Sequence, residues 1–281
     1  MGNHNGHYLN RGVSSGGAGS FRRLGIFMGR WFLIVTLVTA IFAPAAEAAC
    51  SKIDHDHAAW TAILGRWVLD GRVDYRGLKR DGNARLDAYL KTLSGVCASD
   101  YEGWTRDRRI AFWINAYNAF TIRLILDNYP ISSIRKIGIL PGAAFRRSFI
   151  PMEGLKGGRI SLDDIEHRTL RSDFKEPRIH FALVCAARGC PPLRNEAYRA
   201  SDLDRQLDDQ GRAFLKNPAM NRFDAANRIL YLSSIFDWFR GDFETGGGSL
   251  AQFVSRYMGD RRVTEPGVKI EFLEYAWGLN E

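Results

Sequence analysis

The chain has 281 residues, 46% of them hydrophobic and 25% charged, with a formal net charge of +8. That composition excludes a wholly disordered, collagen-like or disulfide-scaffold protein and supplies enough apolar material for a full core. The basic pairs Arg108-Arg109, Arg146-Arg147 and Arg261-Arg262 lie far apart, and no run interleaves them with aromatics; the charge reads as a solvated surface, with no nucleic acid expected as a partner.

The first thirty residues are rich in Gly, Asn, Ser and Arg and contain no acid. From Trp31 to Ala46 the chain is uncharged, and Ala46-Glu47-Ala48 follows, the small-x-small pattern of a signal-peptidase site. A bilayer span needs about 20 apolar residues, more than this run offers. Residues 1–48 therefore read as a signal peptide with an over-long N-terminus, since "MGRWFLIV" from Met28 is a compact signal in itself. Arg22-Arg23 fits a twin-arginine signal only loosely. The expectation is an exported protein, periplasmic or secreted, with no stable membrane span after cleavage. Cys50 lacks the large aliphatic residue three positions earlier that lipidation requires, which argues against a lipoprotein anchor. After cleavage, 35 Lys and Arg face 30 Asp and Glu, a net charge of +5.

Residues 49–281 contain no Pro/Gly/Ser linker and no repeat, and read as one globular domain. Helical periodicity is clear in "AAWTAILGRWVL", in "NARLDAYLKTL" and above all in "RRIAFWINAYNAFTIRLILDNY", which Pro130 stops. "GAAFRRSFIPMEGLKGGRISL" alternates with turn residues and predicts a hairpin or irregular strands. Ser161 and Asp164 resemble a capping box opening the helix "LDDIEHRTLR". "RIHFALV", from Arg178, is apolar on both faces and predicts a covered central strand. Ser201 and Asp204 would cap the helix "DLDRQLDDQGRAFLKN". "RILYLSS" predicts a strand, "SLAQFVSRYM" a helix, and "VKIEFLEYAW" a closing strand. The fold class is α+β: a helix-rich single domain with a small mixed or antiparallel sheet built mainly from the C-terminal half.

Four cysteines, Cys50, Cys97, Cys185 and Cys190, in an oxidising compartment allow three full pairings. Cys50–Cys97 would tie the start of the domain to its body, a gain of ~2–4 kcal/mol. Cys185 ends the predicted central strand, a position where a loop can present a thiol at the mouth of a scaffold. Cys190 precedes Pro191. Asn115 and Asn118 share one face of an apolar helix, and buried amides require partners: either they latch a loop or they serve a site. Glu166 and His167 are adjacent on a helix, so one can face inward while the other faces a different neighbour. His180, an odd number of positions before Cys185, would point to the opposite face of a strand, which leaves His167 as the imidazole free to approach the thiol. Cys-x4-Cys is neither a Cys-x-x-Cys redox motif nor half of a zinc site. His55 and His57 read as exposed polar residues near the mature N-terminus. No metal and no cofactor is expected.

The blocks "RRIAFWINAYNAFTI", "ISLDDIEHRTLR", "RIHFALVCAARGCPPLR", "LSSIFDWFRGDF" and "IEFLEYAWGLN", spread over residues 55–281, resemble the domain of unknown function 547 in its exported bacterial branch. The resemblance implies that Asn115, Asn118, Glu166, His167, His180 and Cys185 belong to the family's signature. In the family's plant members the position of Cys190 is often not cysteine whereas Cys185 has a counterpart, which favours Cys185 as the reactive thiol. The family implies no settled activity.

These residues lead to a thiol-dependent hydrolase or acyltransferase acting on an amide-type bond of a peptide or small molecule. Cys185 would be the nucleophile, His167 the base, and Glu166 or Asn115 the orienting or polarising group. Asn118, His180, Cys190 and Arg194 would contact substrate. Two alternatives stand beside it: a non-catalytic ligand or protein binding module with a buried polar network, and a thiol-redox protein using Cys185 and Cys190.

Overall fold

The longest apolar periodicity of the chain forms its central helix. The computed structural model describes residues 50–281; the expected signal segment, the expected cleavage site and the alternative start at Met28 lie outside the described residues. Helix α1 is Ala58–Trp67, α2 is Asn83–Ser94 and α3 is Arg106–Asn128. In α3 every residue from Ile110 to Ile122 is buried, as expected of a helix that is apolar on all sides. Thr105 caps its N-terminus by accepting from Arg108 N–H at 3.3 Å, and Tyr129-Pro130 follows its end. α1 packs on α2 and α2 on α3. The Cys50–Cys97 disulfide joins the first described residue to the turn after α2. Among the described residues no helix is long and apolar enough to cross a membrane.

Two small antiparallel hairpins decorate this half: β1 (Val68–Leu69) with β2 (Arg72–Val73), and β3 (Ile150–Met152) with β4 (Gly158–Ile160). The second fulfils the hairpin expectation, with Ile150 opposite Ile160. Ser161 and Asp164 form the predicted capping box of α4 (Leu162–Ile165). The helix then widens into π-helical turns from Glu166 to Phe174, a rare geometry that tends to mark functional positions. In the C-terminal half, β5 (Arg222–Asp224) runs antiparallel to β6 (Ile229–Ser233), and β7 (Lys269–Leu273) runs parallel to β6. Helices α5 (Leu203–Leu215) and α6 (Leu250–Met258) pack together. The molecule is a helix-rich α+β domain with a small mixed sheet from its C-terminal half.

Three expectations are corrected. "RIHFALV" is not a central strand: Pro177–Phe181 is a 3-10 helix, with Pro177 in its first turn, and the chain to Cys190 is irregular. The α5 cap does not use a Ser201–Asp204 pair; Ser201 Oγ bonds Asp202 instead. His57 is buried, not exposed, with Nδ1 2.8 Å from the Tyr89 hydroxyl, and burial pushes its pKa down to about 4.

The missing ladder is replaced by amide side chains. Asn118 Nδ2 donates to Ala182 C=O at 2.9 Å and its Oδ1 accepts from Val184 N–H at 2.9 Å. Asn115 does the same for Tyr198, at 2.8 and 3.0 Å. Both amides are buried, so their loss leaves two backbone groups unpaired in low dielectric, each costing about 1–3 kcal/mol. Asn118→Ala should therefore lower unfolding stability by roughly 2–5 kcal/mol in urea titrations; a loss under about 1 kcal/mol would mean that water or a rearranged loop takes over the amide's role.

Candidate functional site

The irregular segment after the 3-10 helix brings Cys185 and Cys190 to the wall of a pocket. Its volume is about 180 Å³, comparable to cavities that admit a benzene-sized group. Glu166, His167, His180, Tyr117 and Tyr275 share its lining with both cysteines, and Phe145, Trp238, Phe239 and Trp277 form its apolar side.

Cys185 and Cys190 are paired as a disulfide, and no cysteine is free. A paired sulfur is not a nucleophile, so the thiol role expected of Cys185 needs this bond opened first. The two sulfurs are unequal. Cys185 is half-buried, whereas Cys190 is 4% exposed. Cys190 Sγ accepts from Cys185 N–H at 3.0 Å and from the Tyr275 hydroxyl at 3.1 Å; the same hydroxyl lies 3.1 Å from Cys185 Sγ.

The disulfide loop is held against the C-terminal tail. Ala187 pairs with Leu279, Gly189 N–H donates to Ala276 C=O at 2.9 Å, and Asn280 N–H to Ala186 C=O at 3.1 Å. A Cβ on Gly189 would meet Tyr275 and Ala276 at 3.0 Å, so the tail that delivers Tyr275 requires glycine there. Ala186 has φ of +60°, a strained backbone for a residue with a Cβ and of a kind that clusters at functional loops.

Behind the disulfide lies a charged network. His180 Nε2 is 2.7 Å from Asp242 Oδ2, its Nδ1 is 4.0 Å from Glu166 Oε1, and its ring stacks on Phe239. Arg171 grips Asp242 through two bonds of 2.6 and 2.9 Å, and its Nη1 is 3.0 Å from His167 Nδ1. Burial would raise the Asp242 carboxyl, but the hydrogen bonds from His180 and Arg171 win and hold it well below the usual range. Burial lowers His180 despite Asp242, and lowers His167 with help from Arg171. Burial raises Glu166 to about 7; the Tyr117 hydroxyl pulls it back and Asp163 pushes it further up.

The residues singled out from sequence divide accordingly. Glu166, His167, His180, Cys185 and Cys190 meet in one pocket. His180 reaches it because the chain bends in a 3-10 turn, which removes the opposite-face argument drawn from strand geometry. Asn115 does not line the pocket, and both ends of its amide are held by Tyr198 backbone. Asn118 holds loop backbone in the same way and does not line the pocket, and Arg194 is paired with Glu196 outside it. Asp242, Arg171, Tyr117 and Tyr275 were not singled out. Asp242 and Tyr275 lie in blocks that carry the family resemblance, but an aspartate or a tyrosine alone gives no spacing signal.

Residues 101–215 match the family model described as "Protein of unknown function, DUF547". Over that stretch the chain resembles this family. Neither a curated protein nor a solved structure matches it. The matched stretch contains α3, Glu166, His180 and both pocket cysteines, whereas Asp242, Trp238 and Tyr275 lie beyond it.

Glu166 yields a pH test. Its folded pKa, about 7, stands above the ordinary 4.5, so between these values the folded state holds a proton the unfolded chain has lost, and stability falls as pH rises. Asp163, Asp242, Arg171, His180, Tyr117 and Tyr275 face the carboxyl and are common to both proteins compared. Relative to wild type, Glu166→Gln should gain roughly 1–3 kcal/mol between about pH 5 and about pH 8 in denaturant titrations. A difference that does not change with pH would place this titration elsewhere.

Proposed function

We propose that the pocket is a thiol–disulfide exchange site of an exported protein, in which Cys185 meets the partner and Cys190 is the leaving sulfur. The asymmetry of the disulfide carries this reading: both sulfurs line the pocket, but Cys185 is half-buried, whereas Cys190 is buried and accepts from the Cys185 N–H as well as from the Tyr275 hydroxyl. A thiolate entering the pocket attacks Cys185 Sγ. The Cys185–Cys190 bond breaks, and its electron pair goes to Cys190 Sγ, where the Cys185 N–H and the Tyr275 hydroxyl stabilise the charge. The partner is then joined to Cys185 as a mixed disulfide.

A second thiolate on the partner attacks the partner's own sulfur in that mixed disulfide and expels Cys185 as thiolate. Two electrons pass from the partner dithiol, which becomes a disulfide, to the protein, which becomes a dithiol. The two thiol protons end on Cys185 and Cys190. With its pKa near 7, Glu166 suits the transfer of those protons at neutral pH. Export agrees with a chain whose cysteines are all paired.

A second reading keeps one observation in its favour. Once the disulfide is opened, Cys185 shares a pocket with His167 and Glu166, the groups a thiol-dependent hydrolase or acyltransferase requires. His167 would have to leave Arg171 to act as base.

The test is peptide-mapped mass spectrometry after incubation of the wild type with reduced glutathione, which can open its disulfides, and of the two serine variants with oxidised glutathione, which a free thiolate attacks to form a mixed disulfide with release of glutathione thiolate. Cys190→Ser should accumulate a glutathione adduct on Cys185, Cys185→Ser should show none on Cys190, and the reduced wild type should alkylate at Cys185 at least about tenfold faster than at Cys190. If Cys50–Cys97 exchanges while Cys185–Cys190 stays closed, the reading is abandoned. Amide hydrolysis by the reduced protein, lost in His167→Ala, would favour the second reading instead.

A further inference from the structure

One surface feature has no part in the exchange chemistry. From Tyr129 to Met152 the chain has four cations, Arg135, Lys136, Arg146 and Arg147, and no acid. All four are exposed, and among the described residues none forms an ion pair. Arg135 lies over the Trp277 ring at 5.2 Å, and Arg146 donates to the Pro141 carbonyl. Between these cations the chain makes a turn bounded by Gly138 and Gly142, with φ of +86° and +73°. At its tip Ile139 is 101% exposed and Leu140 67%. Soluble surfaces scatter single apolar residues, but two adjacent large ones standing mostly in water at a turn need a reason.

The turn belongs to the rim of the pocket. The chain leaves the rim where Arg135 covers Trp277 and returns where Phe145 lines the cavity. Trp238, 48% exposed, stacks with Trp277, and Tyr275 lies 4.7 Å from the same ring. This face thus combines an apolar tip, unpaired cations and amphipathic aromatic rings, the three components that seat a protein in the headgroup layer of an anionic bilayer.

We infer that this face docks on an anionic lipid surface, with Ile139 and Leu140 inserted below the headgroups and Arg135, Lys136, Arg146 and Arg147 against the phosphates. The occupant follows from shape and charge: a protruding tip offers a peptide no groove, and among the described residues none of the four cations forms an ion pair with a carboxylate, Asp163 being the acid that feels Arg146. Apolar insertion and electrostatic attraction add in such binding. Docking turns the pocket mouth toward the bilayer. The inference stands independently of the thiol chemistry, since none of its six residues contacts a sulfur.

The test is sedimentation of the full chain with vesicles, comparing variants made in the same chain so that residues 1–49 contribute equally to all. Wild type should bind phosphatidylglycerol-containing vesicles more tightly than vesicles of phosphatidylcholine alone. Ile139→Ser/Leu140→Ser should weaken that binding by at least about tenfold, and Arg146→Gln/Arg147→Gln should reduce its salt dependence. These residues are exposed, so unchanged thermal melting verifies folding. As a readout local to the tip, the added fluorescence of Ile139→Trp should shift to the blue on anionic vesicles. Emission that stays water-like with vesicles, or binding by the double serine variant within about twofold of wild type, overturns the inference. Saturable binding of an acidic apolar peptide that depends on Ile139 and Leu140, without the vesicle shift, overturns it in favour of a protein partner.

Discussion

Irregular backbone can run through a protein interior only if each buried N–H and C=O finds a partner, and side-chain amides supply those partners here. Asn115 and Asn118, one helical turn apart on α3, each offer a donor and an acceptor spaced like those of a peptide group, and they clamp the chain at Tyr198 and at Ala182–Val184. From the other side α5 adds Gln206, which bonds Ala197 C=O, and Gln210, which bonds Pro192 C=O. The segment from Pro177 to Tyr198 is thereby held between two helices without a ladder. Where Cys185 and Cys190 sit is fixed by those clamps and by the C-terminal tail, so the geometry of the pocket depends on amides that never enter it.

The electrostatics of the pocket rest on the separation of two acids that burial pushes in the same direction, Glu166 being the more deeply buried. Asp242 is answered by a guanidinium and an imidazole, and stays ionised. Glu166 forms no ion pair with an arginine or lysine among the described residues, feels Arg171 only at a distance, and is kept protonated by burial to about neutral pH. Divergent pKa values among neighbouring carboxyls distinguish a fixed charge from a proton carrier. His180 lies between the two, with one nitrogen on Asp242 and the other toward Glu166. Its stacking on Phe239 restrains the ring, which suits it to positioning these acids better than to leaving them.

The parts of the fold that could be read from sequence are those with a local physical cause. α3 announced itself through continuous apolar periodicity, the capping box through Ser161 and Asp164, and the closing strands through β-branched and aromatic runs. "RIHFALV" misled because an apolar run satisfies a central strand and a buried 3-10 turn equally well; only the partner of each backbone group separates them, and those partners are more than sixty residues away. The candidate site was legible where residue types carry chemistry, in Cys185, Cys190, Glu166, His167 and His180. Asn115 carried the same polar signal for a structural reason.

The sequence by itself determined the fold class, the central helix, the cluster of signature residues and the resemblance of residues 101–215 to an uncharacterised family, because periodicity, capping and residue chemistry act over a few positions. Tertiary structure alone decided that Cys185 is paired with Cys190, that Tyr275 and Asp242 belong to their pocket, that Asn115 and Asn118 are clamps, and that Ile139 and Leu140 stand in water. Each of these depends on which distant segments meet, and a hydrogen bond or a buried surface exists only once both sides are in place.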